Sequence, residues 1–515
     1  MKDQKDSFWA DLAAERIIQE KGNKPKYTCA SGITPSGIIH IGNFREIMTT
    51  ELVKKALEKK KKKVRFIYSW DDYDRFRKVP DNVSKDFEKY IGMPVSDTPD
   101  PFKCHKSYAE HFEKELESSI NGLVKDIEFL RQNEKYKKSL YAEKIKETLT
   151  NRKKIAEILN KFREEPLDSK WIPLTVYCEK CKKDDAEVTN YDEKYTVEYK
   201  CTCSFSDKID FRKKGIVKLP WRVDWPMRWA FEQVDFEPGG KDHSTVGGSF
   251  DTAKHIVKEL WKRDAPTYQV YDFVTVKGQG GKMSKSIGNV VTIKDLLEIY
   301  EPEIVRWFYA SNRPNSEFAV SFDLDVIKIY EDFDKCERIY YNKEEIKERE
   351  KEKQKRIYES SIIKLSKTMP KQVSFRHLTI LVQVHEGNIE KATSEYKSAR
   401  IKKRAECAWN WIQNYAPDEM KFKIHENIPL DIKKKLSKQQ KESLKILQKS
   451  LEKKRFNEES LFIEFKKICE KIGIQPQDFF KGAYLALIGK EKGPKLAGFI
   501  VTAGKKRIAS LLAKI

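Results

Sequence analysis

Residues 27–69 read YTCASGITPSGIIHIGNFREIMTTELVKKALEKKKKKVRFIYS, and this stretch decides the fold. Residues 27–31 and 64–69 are short β-prone runs. Between them, turn residues mark a loop at 32–43, and apolar residues recur at helical spacing from 44 to 57. The order strand, loop, helix, strand predicts a βαβ unit of a parallel sheet.

Such sheets bind ligands at the carboxyl ends of their strands. The loop at 32–43 follows the first strand, and the acidic residues Asp71, Asp72 and Asp74 follow the second. The α/β pattern returns in residues 221–282, where a strand runs into a second glycine-rich loop. We therefore expect both loops and the acidic residues at one edge of a Rossmann-type sheet.

Composition favours a polyanionic partner. The chain has 515 residues, 39% of them hydrophobic, and a formal net charge of +22. An alternative is that the charge reflects a lysine-rich codon bias and merely solvates helices. Because the first nine residues are polar and no apolar run reaches the roughly 20 residues of a membrane span, we expect a cytoplasmic protein.

The chain is expected to contain four parts. We predict a catalytic α/β domain in two halves, 1–95 and 216–290, interrupted by an insertion at 96–215. Stem or linker helices are predicted at 291–344, and an all-α domain at 345–515. The charged stretch 341–372 is interpreted as a solvated surface helix or linker.

The first loop carries the run Thr34-Pro-Ser-Gly-Ile-Ile-His-Ile-Gly-Asn43 at the start of a helix. Free N–H groups and positive potential at a helix N-terminus suit a triphosphate. His40 adds a donor there, and Gly42 lets a flat base approach the backbone. A His-Ile-Gly triplet alone is more often chance or packing.

The second loop carries Gly280-Gly-Lys-Met-Ser-Lys-Ser-Ile-Gly-Asn289. Two lysines on a glycine-flanked loop can neutralise the charge that develops on leaving pyrophosphate. A basic surface loop is the alternative.

Together the two runs resemble the HIGH and KMSKS signatures of class I aminoacyl-tRNA synthetases. The second matches in full, whereas Asn43 replaces the last histidine of the first. The resemblance implies catalytic roles for His40, Asn43, Lys282 and Lys285. It implies ATP binding by Pro35, Gly37, His40, Gly42, Asn43, Lys282, Met283, Ser284, Lys285 and Ser286.

A finer resemblance, to class I lysyl-tRNA synthetases, covers nearly the whole chain. It rests on the segments Ser69–Arg75 (SWDDYDR), Trp221–Trp229 (WRVDWPMRW), Phe236–His243 (FEPGGKDH) and Leu487–Pro494 (LIGKEKGP). It implies activation of lysine by ATP, with Mg²⁺, and transfer to tRNA(Lys). It also implies that the helical C-terminal half binds the anticodon, where Phe375, Arg376 and His377 are candidates and Phe375 alternatively packs in the core.

A desolvated lysine ammonium requires a carboxylate or an aromatic face in its pocket. By residue type and location, the candidate lysine-binding residues are Gly32, Thr34, Asp224, Trp225, Asp242, His243 and Tyr271.

Nine cysteines are too few and too uneven for a disulfide framework, but four form two close pairs. These are Cys178 and Cys181, and Cys201 and Cys203. Four thiolates suit a closed, structural Zn²⁺ site, and four reduced structural cysteines are the alternative.

Three other functions remain open. A glutamyl-tRNA synthetase of the same class would share both domains but would need a basic amino-acid pocket. A small-molecule nucleotidyltransferase would need neither the C-terminal helices nor the positive charge. A non-catalytic RNA-binding paralogue is disfavoured by the intact lysine loop.

Overall fold

The structure is a computed structural model that describes residues 7–81, 83–278 and 290–515. Its strands are β1 Lys26–Ile33, β2 Lys63–Trp70, β3 Ile127–Arg131, β4 Thr175–Val176, β5 Ala186–Tyr191, β6 Thr196–Cys201, β7 Ser206–Asp210, β8 Val217–Lys218, β9 Phe236–Gly240, β10 Thr267–Tyr271, β11 Val274–Val276 and β12 Phe318–Val320.

The helices up to residue 361 are α1 Trp9–Lys21, α2 Ile41–Lys59, α3 Tyr108–Ile120, α4 Gln132–Lys137, α5 Ala142–Thr150, α6 Arg152–Asn160, α7 Trp221–Glu232, α8 Ser249–Trp261, α9 Ile293–Ile299, α10 Pro302–Ser311, α11 Asp325–Tyr340 and α12 Glu348–Ser361. The later helices are α13 Phe375–Val384, α14 Ile389–Thr393, α15 Ala399–Asn414, α16 Leu430–Lys435, α17 Lys438–Lys453, α18 Glu458–Ile472, α19 Pro476–Ile488, α20 Leu496–Ala503 and α21 Lys505–Leu512. Within the described residues, none of these helices is long and apolar enough to cross a membrane.

Two compact units divide the chain. The first contains Met1–Leu296, Val305–Val320 and Glu345–Leu365, and the second contains Leu297–Ile304, Ser321–Glu344 and Ser366–Ile515.

A five-stranded parallel sheet forms the centre of the first unit, as the βαβ pattern predicts. Its strand order is β10-β9-β1-β2-β3, and every pairing is parallel. Strand β3 joins this sheet although it lies inside the range 96–215 that we assign to the insertion. The chain therefore returns to the sheet once before it enters the cysteine-bearing part.

The cysteine-bearing part is a separate antiparallel sheet with strand order β7-β6-β5-β4-β8. Its side chains pack with helices α5 and α6 in one buried cluster that includes Leu149, Ile155, Val176 and Val197. The cysteines thus belong to a small folded module rather than to an open loop.

Helix α12 corrects the expectation of a solvated segment at 341–372. Its last turns are buried at Ile357 and Tyr358. The fully buried guanidinium of Arg306 donates to the carbonyl of Ser361 at 2.9 Å, and Lys55 donates to the carbonyl of Ile362 at 2.7 Å. The sequence of this helix is mostly charged, so the buried apolar residues in its last turns were not apparent from composition.

The second unit is helical. One cluster of buried apolar residues joins helices α16 to α21 and includes Leu444, Leu461, Phe479 and Phe499. Phe375 stacks on Tyr330 with ring centroids 4.0 Å apart, so it packs in the core.

Candidate active site

The order of the parallel strands sets the position of the site. Strand β1 lies between β9 and β2, so the direction of chain progression reverses at β1, and a crevice forms beyond the carboxyl ends of such strands. Strands β1, β2, β9 and β10 end at Ile33, Trp70, Gly240 and Tyr271. The structure therefore brings the histidine loop, the acidic residues and the residues after Gly240 to one edge.

His40 is the N-cap of helix α2. Its Nδ1 accepts from the backbone N–H of Gly42 at 3.1 Å, and Oδ1 of Asn43 accepts from the backbone N–H of His40 at 3.2 Å. This reciprocal arrangement is a capping box. A neutral imidazole that accepts at Nδ1 carries its proton on Nε2, so the ring can donate toward a phosphate.

Asn43 has a local reason to differ from the histidine of the family signature. Its side-chain oxygen accepts from the backbone at the helix start, a task suited to an amide. Earlier in the loop, Pro35 and Gly37 are buried, and Gly37 has φ +146°, where an L side chain is strained. The loop is therefore held in one conformation from both ends.

The lysine loop lies outside the described residues, so Lys282, Met283, Ser284, Lys285 and Ser286 stay predictions. The segment that follows it is described. Ile41 donates its backbone N–H to the carbonyl of Val291 at 2.9 Å, and His40 forms an antiparallel bridge with Thr292. The chain thus leaves the lysine loop in contact with the histidine loop.

Glu46 lies beneath the end of strand β1. Its Oε1 accepts from the backbone N–H of Gly32 at 2.9 Å, and its Oε2 accepts from the hydroxyl of Tyr271 at 2.8 Å. Burial raises the pKa of Glu46 to about 8, more than these two hydrogen bonds lower it. Gly32 and Tyr271, both candidate lysine-binding residues, are therefore held by one partly buried carboxyl group.

Gly32 is also required by the sheet itself. A Cβ at this position would lie 2.6 Å from the carbonyl oxygen of Ser69 on the paired strand β2. Any other residue would push the two strands apart at the edge where the site forms.

Glu237 is a second buried carboxyl group at this edge. Its oxygens accept from Nε1 of Trp225 at 3.0 Å and from Nε1 of Trp229 at 2.5 Å. Burial raises its pKa to about 7, despite these hydrogen bonds and the nearby charge of Arg228. The predicted residue Trp225 is therefore held in place through its indole nitrogen, which leaves its ring as an apolar wall.

The candidates after strand β9 lie on a short 3₁₀ turn, Lys241–His243. Asp242 and His243 are both exposed, and the His243 ring centroid lies 6.1 Å from that of Trp225. Asp242 and His243 thus stand at the solvent side of the aromatic wall.

Asp224 is fully buried within a network of charged groups. One of its oxygens lies 3.1 Å from Nζ of Lys218 and 3.3 Å from Nε of Arg228, and the hydroxyl of Tyr136 donates to the other. Burial would raise the pKa of Asp224, but the two cations hold it below its usual range. The geometry gives Asp224 a framework role, because its charge is already matched.

The acidic residues after strand β2 belong to the same network. Arg228 donates to Asp71 at 2.5 Å, and Lys218 lies 3.1 Å from Asp74. The hydroxyl of Thr34 donates to the other oxygen of Asp74 at 3.1 Å. Thr34 is therefore oriented by Asp74, which links the histidine loop to the buried charges.

Sequence reasoning missed Glu46, Glu237 and Arg228. Glu46 stands in the helical run noted for its apolar spacing, and Arg228 and Glu237 stand in segments quoted for the family resemblance. A glutamate inside a run that is otherwise buried was the available signal, because an unpaired buried carboxyl group is costly.

The four clustered cysteines do converge. The Sγ atoms of Cys178 and Cys203 are 3.7 Å apart, those of Cys181 and Cys201 are 3.6 Å apart, and all four lie within 4.8 Å of one another. A tetrahedral site with Zn–S bonds of about 2.3 Å requires sulfur separations of about 3.8 Å. The cysteines are not disulfide-bonded, so the geometry fits a tetrahedral metal ion.

Comparison with known proteins agrees with this arrangement. A family model for tRNA synthetases class I (K) matches residues 7–364, and one for an anticodon binding domain matches residues 399–515. A protein of Borrelia garinii named lysine–tRNA ligase is 45% identical over 99% of each chain. Proteins of the same name from Borreliella burgdorferi and Pyrococcus horikoshii are 46% and 42% identical, over 99% and 98% of this chain and 99% of each of theirs.

Among solved structures, a glutamate tRNA ligase from Elizabethkingia meningosepticum matches with a TM-score of 0.46 and 14% identity, over 95% of this chain and 98% of that one. The family model covers more than half of the chain, and the relatives span it almost completely. This chain belongs to the family of class I tRNA synthetases of the lysine (K) type.

Proposed function

We propose that this protein is a lysine–tRNA ligase that activates lysine with ATP and transfers it to tRNA(Lys). The full-length similarity to proteins of that name supports the assignment. The predicted residues at the sheet edge support it independently, because the described ones meet at the carboxyl ends of the parallel strands.

The observation that carries the choice of lysine is a pair of carboxyl groups, the partly buried Glu46 and the buried Glu237. In the described part of the chain, neither forms an ion pair, and each accepts hydrogen bonds from neutral donors only. Their pKa values are raised to about 8 and about 7, so a bound ammonium group would favour the ionised form of each carboxyl group and be neutralised by it. The Trp225 ring, which stacks on Trp221 with centroids 5.0 Å apart, belongs to the aromatic wall beside this cation.

A glutamate pocket would need the opposite charge. Two buried cations at this edge, Arg228 and Lys218, are both matched by Asp71, Asp74 and Asp224. The buried guanidinium of Arg45, beside Glu46, is occupied by the backbone carbonyls of Asp272 and Phe273. The described edge therefore favours a cationic amino acid over an acidic one.

In the proposed reaction a carboxylate oxygen of lysine attacks the α-phosphorus of ATP, and the bond to the β-phosphate breaks to release pyrophosphate. Gly32 and Tyr271, fixed by Glu46, and Thr34, fixed by Asp74, position the amino acid. His40 and the N-terminus of helix α2 face the phosphates, and Gly42 admits the adenine.

Lys282 and Lys285 stabilise the charge on the leaving pyrophosphate, and Mg²⁺ accompanies ATP. In the second step the terminal ribose hydroxyl of the tRNA attacks the acyl carbon, and AMP leaves. The protein contributes positioning and charge stabilisation and needs no covalent intermediate of its own.

Cys178, Cys181, Cys201 and Cys203 would hold Zn²⁺ in the insertion. Four thiolates fill a tetrahedral shell, so the ion would stabilise the fold of this small sheet and take no part in the reaction. We propose the domain boundaries 1–95 with 216–290, 96–215, 291–344 and 345–515, with two exceptions: strand β3 belongs to the parallel sheet, and residues 345–365 belong to the first unit.

The tRNA would bind through the helical domain, where the anticodon-binding model matches residues 399–515. A net charge of +22 favours such a polyanion. A tRNA partner in turn favours a cytoplasmic location. Arg376, with 59% of its side chain exposed, stays a candidate for anticodon contact.

Amino-acid-dependent ATP–pyrophosphate exchange tests the proposal. The full chain is assayed with each of the twenty amino acids, with and without tRNA. We expect exchange with lysine alone, and a fall of about 10²–10³-fold for Lys282→Ala, which loses a charge aimed at the transition state. Exchange with glutamate, or no exchange with any amino acid, would overturn it.

The matched control is His255→Ala. His255 is an exposed histidine on helix α8 and is not among the residues assigned to the site. Its rate should equal that of the wild type, whereas His40→Ala should lose exchange.

A further inference from the structure

Arg45 lies on helix α2, two residues after Asn43, and has no part in the reaction proposed above. The residue is 2% exposed, and its guanidinium forms no ion pair with any residue that the structure describes. Burial lowers the pKa of Arg45 to about 10, so the group stays charged at neutral pH. A buried cation is costly unless its N–H groups are bonded, so the partners of this guanidinium indicate its role.

The guanidinium of Arg45 donates to four backbone carbonyls from two separate segments. Nη1 donates to Asp272 at 3.0 Å and to Phe273 at 2.8 Å, at the junction of strands β10 and β11. Nη2 donates to Arg313 at 2.8 Å and to Ser316 at 2.7 Å, in the turn between helix α10 and strand β12. The planar fork of N–H groups on a guanidinium suits two pairs of acceptors at once.

The two segments that Arg45 joins continue into a parallel pair of strands, and one of these strands leads into the lysine loop. Strand β11 pairs with β12 in the register Val274↔Phe318, and the backbone N–H of Lys277 donates to the carbonyl of Val320 at 2.8 Å. Cζ of Arg45 lies 4.9 Å from the centroid of the Phe318 ring, within cation–π distance. Arg45 therefore secures the strand that enters the lysine loop.

The chain that leaves the lysine loop meets the same end of helix α2. The carbonyl of Val291 accepts from the backbone N–H of Ile41 at 2.9 Å, and Thr292 forms a bridge with His40. The segments before and after the lysine loop are therefore both bonded to the first turns of the helix that carries the histidine loop.

We infer that Arg45 is a positioning residue of the proposed reaction, because it fixes the strand that enters the lysine loop relative to the start of helix α2. Lysines that neutralise the leaving pyrophosphate must lie at a set distance from the phosphates that His40 faces. The catalytic consequence rests on the proposed function, whereas the attachment of the two segments does not. Arg45 is not a catalytic residue, because it touches neither substrate nor reacting atoms in this scheme.

A lysine at position 45 does not replace the arginine. Its ammonium group keeps the charge but offers three N–H groups from a single nitrogen, so it cannot span four carbonyls on two segments. The lysine pocket is held separately. Tyr271 donates to Glu46 at 2.8 Å and pairs with Gly240 on strand β9, and neither contact involves Arg45.

The turnover of the full chain in lysine-dependent ATP–pyrophosphate exchange, with tRNA present, tests the inference. For Arg45→Lys we expect kcat to fall by about 10–10²-fold, as for a misplacement of about 1 Å in the groups that act on the transition state. KM for ATP and KM for lysine should change by less than about threefold, because the lost interaction is made only in the transition state. A wild-type kcat in Arg45→Lys would overturn the inference.

A milder variant keeps the inference testable if Arg45→Lys folds poorly. Phe318→Leu removes the ring beside the guanidinium and leaves all four carbonyls in place. Its kcat should fall by about threefold, in keeping with the loss of one cation–π contact, with both KM values unchanged. An unchanged kcat here would also contradict the role assigned to Arg45.

Arg306→Lys is the matched control. Arg306 is also fully buried and donates to backbone carbonyls, at 3.0 Å to Ser360 and at 2.9 Å to Ser361, but these lie on helix α12. Its replacement should lower the free energy of unfolding, as that of Arg45 does, yet leave kcat within about twofold of the wild type. An equal loss of kcat in both variants would indicate general destabilisation and overturn the inference.

Hydrogen–deuterium exchange of backbone amides tests the attachment without any assay of activity. In Arg45→Lys, the amides of residues 272–278 and 313–320 should exchange about fivefold faster than in the wild type, and those of strand β2 should not change. Unchanged amide exchange in both segments would overturn the inference. If the wild type lacks lysine-dependent turnover, the proposed function fails, and amide exchange still decides whether Arg45 holds the strand pair.

Discussion

Buried carboxylates serve different purposes in the two units of this protein. In the helical unit, Arg404 donates to Glu301 at 2.6 Å and to both oxygens of Asp334 at 2.9 Å. In the catalytic unit, the buried Glu237 and the partly buried Glu46 accept only from neutral donors, among the residues that the structure describes.

The difference separates framework charges from functional ones. A buried carboxylate with an arginine at bonding distance is already neutralised and ties helices together. One that is held by amide, hydroxyl and indole groups keeps a raised pKa, about 8 for Glu46 and about 7 for Glu237, because burial is not offset by a cation. Such a group is suited to receive a cation from a ligand.

Removing a cation that pairs with buried carboxylates should cause the largest loss of stability. Arg404→Met leaves the buried Asp334 without its bidentate partner and Glu301 with Arg400 alone, and we expect a loss of about 3–5 kcal/mol in the free energy of unfolding. Chemical denaturation of the full chain measures it. A loss below about 1 kcal/mol, the range of an exposed ion pair, would remove the distinction drawn above.

Glu46→Gln should impair lysine binding with little cost in stability. The amide can still accept from Gly32, but it cannot neutralise an ammonium group. We therefore expect a loss of about 2 kcal/mol in the free energy of lysine binding, which raises KM for lysine roughly 30-fold. KM for ATP should stay within about twofold of the wild type, since the proposed nucleotide contacts lie on the two loops and at the first turn of helix α2, whereas Glu46 contacts Gly32 and Tyr271.

Although Glu46→Gln should weaken lysine binding, it should make the folded chain more stable than the wild type at high pH. Glu46 holds a proton in the folded chain up to about pH 8, whereas in the unfolded chain it loses it near pH 4.3. Stability contributed by this group therefore falls as pH rises between those values. Glu46→Gln removes that dependence, and denaturation at pH 5 and pH 8 should show the variant gaining relative to the wild type at the higher pH.

Lysine binding should release protons near neutrality. A bound ammonium favours the ionised form of Glu46, and each pH unit below about 8 costs about 1.4 kcal/mol to ionise it. Affinity for lysine should therefore rise about tenfold from pH 6.5 to 7.5. Calorimetry in buffers of different ionisation enthalpy counts the protons, and Glu46→Gln, the matched control, should bind with a flat profile over this range.

The smallest expected effect concerns the helix cap. Asn43→Ala removes the acceptor for the His40 N–H and should cost about 1 kcal/mol of stability. If the cap also orients His40, KM for ATP should rise while KM for lysine does not. An equal rise in both would contradict a local role in the nucleotide site.

Several features could be read from local sequence. The βαβ unit follows from the alternation of β-prone and helical runs, and the four cysteines were marked by their spacing. Local patterns could not show that Asp224 belongs to a buried charge network, because its partners Lys218 and Tyr136 lie on other elements. They also predicted a solvated segment at α12, where Ile357 and Tyr358 are buried among a majority of charged residues.

The sequence by itself determined the family, the two signature loops and the ligand types, because these depend on residue identity over short distances. Only the tertiary structure decided which buried carboxylates are matched by cations. That outcome depends on strand order and helix packing, which bring residues such as Gly32, Glu46 and Tyr271 together from across the chain. Charge compensation acts over a few ångströms in space, and spacing along the chain does not record it.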